Sequence, residues 1–520
     1  MSLTRNQNTI PKATRLPPLL SAGVLVGTLL FLGPQLFLPR GVPAWHNGDQ
    51  NLFLLNASRM LHGELIYRDF FHFLLPGTET VFVLLFKVFG ERAWIPNIAL
   101  IVLGIVQAWI IVWISSAVLK GWAALLPGLL FLAGYRNVLD ATHHWFSSMV
   151  VLATIVVIFE RRTAQRLAIA GVLCGVAAFF TSARGPACML GLTVFLIWEQ
   201  RFDAGDARQL LSKLASLLLA FAATMTAICG YLTIKVGFGV LWASVVEFPI
   251  RYYPTGRANT FRAYMSDWPG LASWTRVPAV GAWILIYALV PLAYVLFVVR
   301  YRRESVYKSA EPWKKLMMLN IIGCSLFSGV LSAPGFVRLC SVSPPALILS
   351  VWMVGTMSKY GSALMKILWI LLLGLAAVEP CWTWLHNSFV LDLPAGRVGF
   401  RGDRGDNEYA WLAHQTHPRE YLFDSAARVY FPLHLTNPSK IPFVANTGYT
   451  TVEQVQDVVL SLEAKHVRFV VWRRFLDIPE SRLDTGDNLG PLREYLSHNY
   501  HVTHTFSSGD DILERNEQTP

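Results

Sequence analysis

Apolar runs separated by short polar, basic connections organise the first three-quarters of the chain. They fall at about 17–38, 94–116, 121–136, 146–160, 167–182, 187–199, 214–236, 277–299, 316–333, 341–357 and 364–382. A helix that crosses a bilayer needs roughly 20 apolar residues, so the pattern predicts about eleven membrane spans, several of them short. The first run follows Arg5, Lys12 and Arg15 as a secretory signal would. It is long for a signal and lacks a small-residue cleavage pattern, so it is read as the first span. A further stretch, Leu74–Phe89, is short and holds Glu79 and Lys87.

Charge decides how that stretch lies. If it does not cross, the N-terminal basic residues fall on one side with Lys120, with Arg161, Arg162 and Arg166, and with Arg201, Arg208 and Lys213. Arg300, Arg302, Arg303, Lys308, Lys314 and Lys315 join them, as do Lys359 and Lys366. Short basic loops stay cytoplasmic, so Leu74–Phe89 is predicted to lie along or dip into the interface. The N-terminus is then cytoplasmic. Segment 39–93, the connection Asp140–His144, loop 237–276 and everything after about residue 383 face outward.

The pattern changes after residue 382. Strand-like runs such as Arg468–Trp472 alternate with helix-like runs such as Val452–Ala464 and Pro491–Tyr500, and another strand follows near 501–507. Thr450 and Glu453 have capping-box spacing at the start of one helix. The expectation is a polytopic α-helical membrane domain over 1–382, including the outer loop 39–93, and a small soluble α/β domain over 383–520.

Composition agrees. Hydrophobic residues make up 54% of the 520 and charged residues 15%, where soluble domains carry roughly 25% charge. The net charge of +11 sits largely in short loops, so it reads as topology rather than nucleic-acid binding. Six cysteines, all in or beside apolar segments, show no metal-ligand spacing, which argues against a disulfide framework or a cysteine zinc site.

Candidate chemistry concentrates in the first outer loop. Asp49 precedes a helix-like run, Leu52–Leu61, which Gly63 is placed to end. A carboxylate beside the membrane can have a raised pKa and serve as a general base. The same spacing also suits an Asp that only caps a helix.

This loop resembles a known family. Asp49, a helix, then Gly63-Glu64-x-x-Tyr67-x-Asp69-Phe70, Pro76-Gly77 and an apolar run ending in Phe89-Gly90 is similar to the first loop of GT-C glycosyltransferases. It is most like the protein O-mannosyltransferase and aminoarabinose-transferase branch, glycosyltransferase family 39. The layout of many spans and an outward C-terminal domain is similar too. The resemblance implies a bacterial inner-membrane enzyme that moves a sugar from a polyprenyl-phosphate donor to a glycan, lipid or protein acceptor. In it, Asp49 would deprotonate or orient the acceptor hydroxyl. The family often has Asp-Glu here, whereas this chain has Asp49-Gln50. No cofactor is therefore expected, and a divalent metal is possible but unsupported.

A departing lipid phosphate needs cationic partners. Arg184 and Arg338, at outer span ends, are the candidates, and Arg184 matches a basic residue that family members often carry. Either could instead snorkel to water. Asp140, His143 and His144 form a second outer cluster suited to substrate binding or to a satisfied interfacial patch. Adjacent His residues on a helix point apart, which argues against a paired metal grip. Tyr67 and Asp69 are further substrate-binding candidates. Loop Phe248–Arg257 mixes aromatics with Arg, as a sugar site or an interfacial belt would. Asn56-Ala-Ser58 is a formal glycosylation sequon inside a predicted helix, and Arg401–Asp406 reads as a polar turn. A transporter or lipid flippase is the alternative. It would need charges near the bilayer midplane, and the pattern places them at span ends.

Overall fold

The computed structural model describes residues 17–202, 206–256, 259–262, 264, 277–304, 310–357, 360–385, 388–477 and 487–517. Arg5, Lys12, Arg15, Arg257, Lys308 and Lys359 lie outside the described residues.

Each predicted apolar run is helical. The first nine helices are α1 Pro18–Leu36, α2 Gln50–Leu61, α3 Gly77–Phe89, α4 Ile95–Ser116, α5 Leu126–Tyr135, α6 His143–Phe159, α7 Ala164–Phe180, α8 Arg184–Glu199 and α9 Ala207–Val236. Helices over Val277–Arg303, Glu311–Ser328, Phe336–Val342, Pro344–Gly355 and Gly361–Leu385 follow. Helices α1, α4, α9 and Val277–Arg303 are long and apolar enough to cross a membrane, and several others are shorter. Helical backbones satisfy their own hydrogen bonds, which lipid cannot do. Side chains such as Leu30, Leu219, Ile234 and Ile370 are exposed along their outer faces.

The run 341–357, expected as one span, is two helices bent by 62° at Ser343. Pro344 and Pro345 explain the break, because proline cannot continue the hydrogen-bond ladder of the helix before it. Glycines allow the tightest packing. A Cβ on Gly171 would lie 2.2 Å from the Leu217 carbonyl oxygen of α9, and one on Gly185 would lie 2.1 Å from that of Cys174.

The outer loop folds as expected in kind. A two-stranded hairpin, Phe37–Leu38 with Val42–Pro43, precedes α2. Gly63, at φ 95°, ends α2. Helix α3 covers the ambiguous stretch and is amphipathic. Thr78, Glu79, Phe82 and Phe86 are buried at helical spacing, whereas Leu84 and Val88 are exposed.

The C-terminal segment holds a hairpin, Ser388–Leu393 with Gly396–Arg401, and a four-stranded sheet. In spatial order the sheet runs Leu422–Asp424, Phe469–Trp472, Asp511–Arg515 and Tyr500–Thr505; the first pair is parallel and the others antiparallel. Helices Val452–Ala464 and Gly490–Asn499 pack on it through Val455, Val458, Leu492 and Leu496. The capping box is formed by Thr451 and Gln454, one residue beyond the predicted pair. Either pair has the spacing, and Thr451 has the extended backbone that a cap needs.

This segment is tied to the outer loop by backbone bonds. Trp45 N–H donates to the Gly399 carbonyl at 2.8 Å, Phe71 N–H to that of Lys440 at 2.9 Å, and Ala93 N–H to that of Ala395 at 3.0 Å. At its centre Arg473, 1% exposed, meets the carboxylates of Asp424 at 3.0 Å, Asp510 at 3.2 Å and Glu408. Removing one partner of a buried ion pair strands the others without compensation. Arg473→Met should destabilise the protein by about 3–5 kcal/mol. Arg468→Met, which removes a half-exposed pair with Glu514, should cost about 1 kcal/mol or less. The urea midpoints of the two variants check the contrast.

Candidate functional site

A cavity of about 610 Å³ opens where the outer loop, several helix ends and the C-terminal segment meet. Asp49, Leu52 and Phe53 line it from the start of α2, and His72 and Phe73 from the chain before α3. His143 and His144 contribute from α6, Thr181 to Arg184 from the α7–α8 turn, and Arg338 from helix Phe336–Val342. Tyr253 and Asn259 come from the 237–276 loop, and Phe443 to Ala445, Thr447 and Tyr449 from the C-terminal segment.

Asp49 occupies the cap position of α2, but its backbone is helical and its side chain makes no capping bond. The carboxylate is therefore left free of the helix, and it lines the cavity. The loop is instead held from Asp140. Asp49 N–H donates to Asp140 Oδ2 at 2.9 Å, and Gln50 N–H donates to Oδ1 at 2.8 Å. Gly48 is required here, because a Cβ on it would lie 2.5 Å from Asp140 Oδ2. Gln50 completes the clasp. Its Oε1 accepts from Ala141 N–H at 3.0 Å, and its Nε2 donates to the His46 carbonyl. A Glu at this position would lose that donor.

Two carboxylates thus lie near each other. Asp49 is open to the cavity but enclosed by the surrounding protein, which raises its pKa, and the Arg338 charge opposes the rise. Burial and the Asp49 charge push Asp140 up to about 8, against the two backbone N–H donors that favour its ionised form. The two titrate as a pair.

The cationic side is built differently. Arg338 donates to Tyr253 Oη and, at 3.0 Å, to Asn259 Oδ1. Arg184 is 3% exposed. Its Nη2 donates to Ser341 Oγ at 2.6 Å and to the Arg338 carbonyl at 3.0 Å. Its Nε and Nη1 are buried and have no hydrogen-bond partner. A buried guanidinium with idle donors lining a cavity has the chemistry to bind an anion.

His143 Nδ1 and Thr181 Oγ1 lie 2.8 Å apart. Against expectation, the rings of His143 and His144 lie 3.8 Å apart, tilted by 39°, and both line the cavity. They are the first two residues of α6, where no preceding turn separates them. Among the described residues no three His, Cys, Asp or Glu groups converge as metal ligands.

Three predicted residues do not line the cavity: Asp140, whose carboxylate is taken up by the Asp49 and Gln50 N–H groups, and Asp69 and Tyr67. Asp69 accepts from Leu65 N–H and pairs with Arg68, whose hydrogen bond pulls its pKa down to about 2. Tyr67, at φ 70°, donates its hydroxyl to the Leu74 carbonyl. Both shape the turn leading to α3.

Others were missed. Tyr253 and Asn259, which hold Arg338, are one such pair. An aromatic wall of Phe73, Tyr253 and Tyr449, with ring centroids 5.3 to 6.3 Å apart, is another. Only the aromatic–Arg composition of loop 248–257 signalled any of it. Beneath the site, Asn56 on α2 bonds His72 at 3.3 Å, and His72 meets the buried Glu79 at 3.0 Å.

No protein-family model matches the chain, and no curated protein matches its sequence. Solved structures do match. ArnT from Cupriavidus metallidurans bound to undecaprenyl phosphate superposes with a TM-score of 0.61 at 12% identity, over 96% of this chain and 98% of that one. The apo state of the same protein gives 0.58 at 13% identity, over 95% and 97%. The archaeal oligosaccharyltransferase AglB from Archaeoglobus fulgidus gives 0.49 at 12% identity, over 96% of this chain and 75% of that one. The chain has the GT-C fold, that of the aminoarabinose transferase ArnT.

The idle Arg184 donors yield a test that presumes no reaction. Inorganic phosphate should raise the melting temperature of the purified protein, and Arg184→Met should abolish that rise. Without phosphate, the variant should melt no lower than the parent, because it removes an uncompensated buried charge. Thermal melts with and without phosphate check both.

Proposed function

We propose that this protein is a membrane glycosyltransferase that moves a sugar from a polyprenyl-phosphate-linked donor to an acceptor hydroxyl at the outer membrane face. One observation carries the reading. A carboxylate with a raised pKa, Asp49, and a buried guanidinium with idle donors, Arg184, line the same cavity at the ends of membrane helices. The fold supports it, and so does the undecaprenyl phosphate held by ArnT.

In this reading about eleven spans cross the membrane, the N-terminus is cytoplasmic, and residues after 383 form an extracytoplasmic α/β domain that roofs the cavity. The acceptor is a glycan, a lipid or a protein. Asp49 takes the proton from the acceptor hydroxyl as its oxygen attacks the anomeric carbon. The bond from that carbon to the phosphate oxygen breaks on the opposite face, so configuration inverts. Arg184 and Arg338 meet the charge left on the lipid phosphate. Asp140 holds Asp49 by its backbone. His143 and His144, with the aromatic wall, shape the space for the sugar.

Two outcomes follow. Asp49→Asn should lower transfer from radiolabelled polyprenyl-phosphate sugars by roughly 10²–10⁴ while lipid-phosphate binding persists. Undiminished transfer by a folded variant would remove Asp49 from the mechanism. The second outcome concerns pH. A base must be ionised, and Asp49 has a raised pKa, so the rate should rise with pH later than an ordinary aspartate would allow. Arg338→Met removes the charge that opposes the rise, raises the Asp49 pKa further and moves the acid limb to higher pH. A pH–rate profile of both proteins checks the direction.

A further inference from the structure

A second cavity, of about 420 Å³, lies far from the site just described. Helix α1 forms one wall from Leu19 to Phe31, and α4, α5 and helix Gly361–Leu385 form the others. Its lining is apolar almost throughout; Thr28 and the Trp122 indole supply its few polar atoms. Gly23 and Gly27, one turn apart on α1, face open space, and a Cβ on either would meet nothing within 4 Å.

Position along the helices sets its depth. The C-terminal end of α1 leads to Asp49, and Asn97 at the start of α4 donates to the Leu36 carbonyl there. The groove uses the other half of both helices, with Leu19, Leu20 and Trp122 at its mouth. It therefore opens toward the membrane face opposite the catalytic cavity. Trp122 is 72% exposed, and the exposed Lys120 lies two residues before it.

From Leu19 to Phe31 the groove runs about 18 Å along α1, slightly more than one leaflet of a ~30 Å hydrocarbon core. The Gly23-x-x-x-Gly27 spacing also suits a docked helix, an occupant that the oligomeric state of the Gly27→Trp variant distinguishes. A cavity this apolar holds no water, so hydrocarbon fills it.

We infer that this groove is a binding site for one acyl chain of an anionic phospholipid, whose headgroup sits by Lys120 and Trp122. A tryptophan at headgroup level and a lysine facing an anionic headgroup are the complementary pair for such a lipid. The bound chain joins α1, which carries the Asp49 loop, to the helix that leads into the C-terminal segment.

Native mass spectrometry of the purified full chain, offered phosphatidylglycerol or phosphatidylcholine in detergent, tests the site. The parent should retain one phosphatidylglycerol per chain, preferred over phosphatidylcholine by about fivefold. Gly27→Trp should fill the groove and retain none above nonspecific adducts. Gly23→Leu, a smaller filler, should weaken retention should the Trp variant prove unfolded by circular dichroism. Lys120→Glu should keep the chain but lose the headgroup preference. The inference is overturned by any of three results: folded groove-filled variants retain lipid as the parent does, polyprenyl phosphate displaces phosphatidylglycerol from the groove, or the parent is a dimer that Gly27→Trp makes monomeric.

Discussion

The grip of the Asp140 carboxylate on two consecutive backbone N–H groups is the constraint on which the Asp49 side of the cavity depends. Each oxygen takes one donor, from Asp49 and from Gln50, so the loop is fixed in position and in rotation. With its backbone held from outside, Asp49 is relieved of capping α2, and its carboxylate is left to line the cavity. The clasp brings the two carboxylates close, and the Asp49 charge raises the Asp140 pKa. Holding and tuning come from one contact.

The two sides of the cavity solve opposite electrostatic problems. On the acidic side, like charges are forced together, and the strain is relieved by holding a proton to higher pH. On the basic side, Arg184 is buried with two donors that have no partner, which leaves part of its desolvation cost unrecovered. Arg338, held by Tyr253 and Asn259, lies between them and lowers the Asp49 pKa that burial raises. On the reading proposed above, this arrangement separates a proton from an anion, as sugar transfer from a lipid phosphate requires.

The surrounding scaffold divides its tasks by solvent. In the membrane part, glycines such as Gly171 and Gly185 let helices approach to contact, because lipid gives no hydrophobic force to press them together. The C-terminal segment instead centres on Arg473, whose three carboxylate partners converge from three separate stretches of chain. That segment brings Phe443 to Tyr449 over the cavity. The wall formed there therefore depends on a residue outside the membrane helices.

The sequence alone determined what is local. Apolar length placed the helical runs, although 341–357, read as one span, is two helices bent at Ser343. The helix at Val452–Ala464 was legible to its boundaries, and its capping box to one residue. The same local logic picked out Asp49, Arg184 and Arg338, because a charge at the end of an apolar run is visible in one dimension. Tertiary structure decided what those charges face. Asp140 lies 91 residues from Asp49, and Tyr449 almost 200 from Tyr253, and no periodicity links residues at such separations. Tyr67 and Asp69 sat in the resembling motif, yet they fold into the turn before α3 and do not reach the cavity. Gln50 stood out in the sequence only as a missing acid, and the fold alone gave it a role, as the amide that ties Ala141 to His46. The direction of a side chain depends on what packs against it, and those neighbours come from distant parts of the chain.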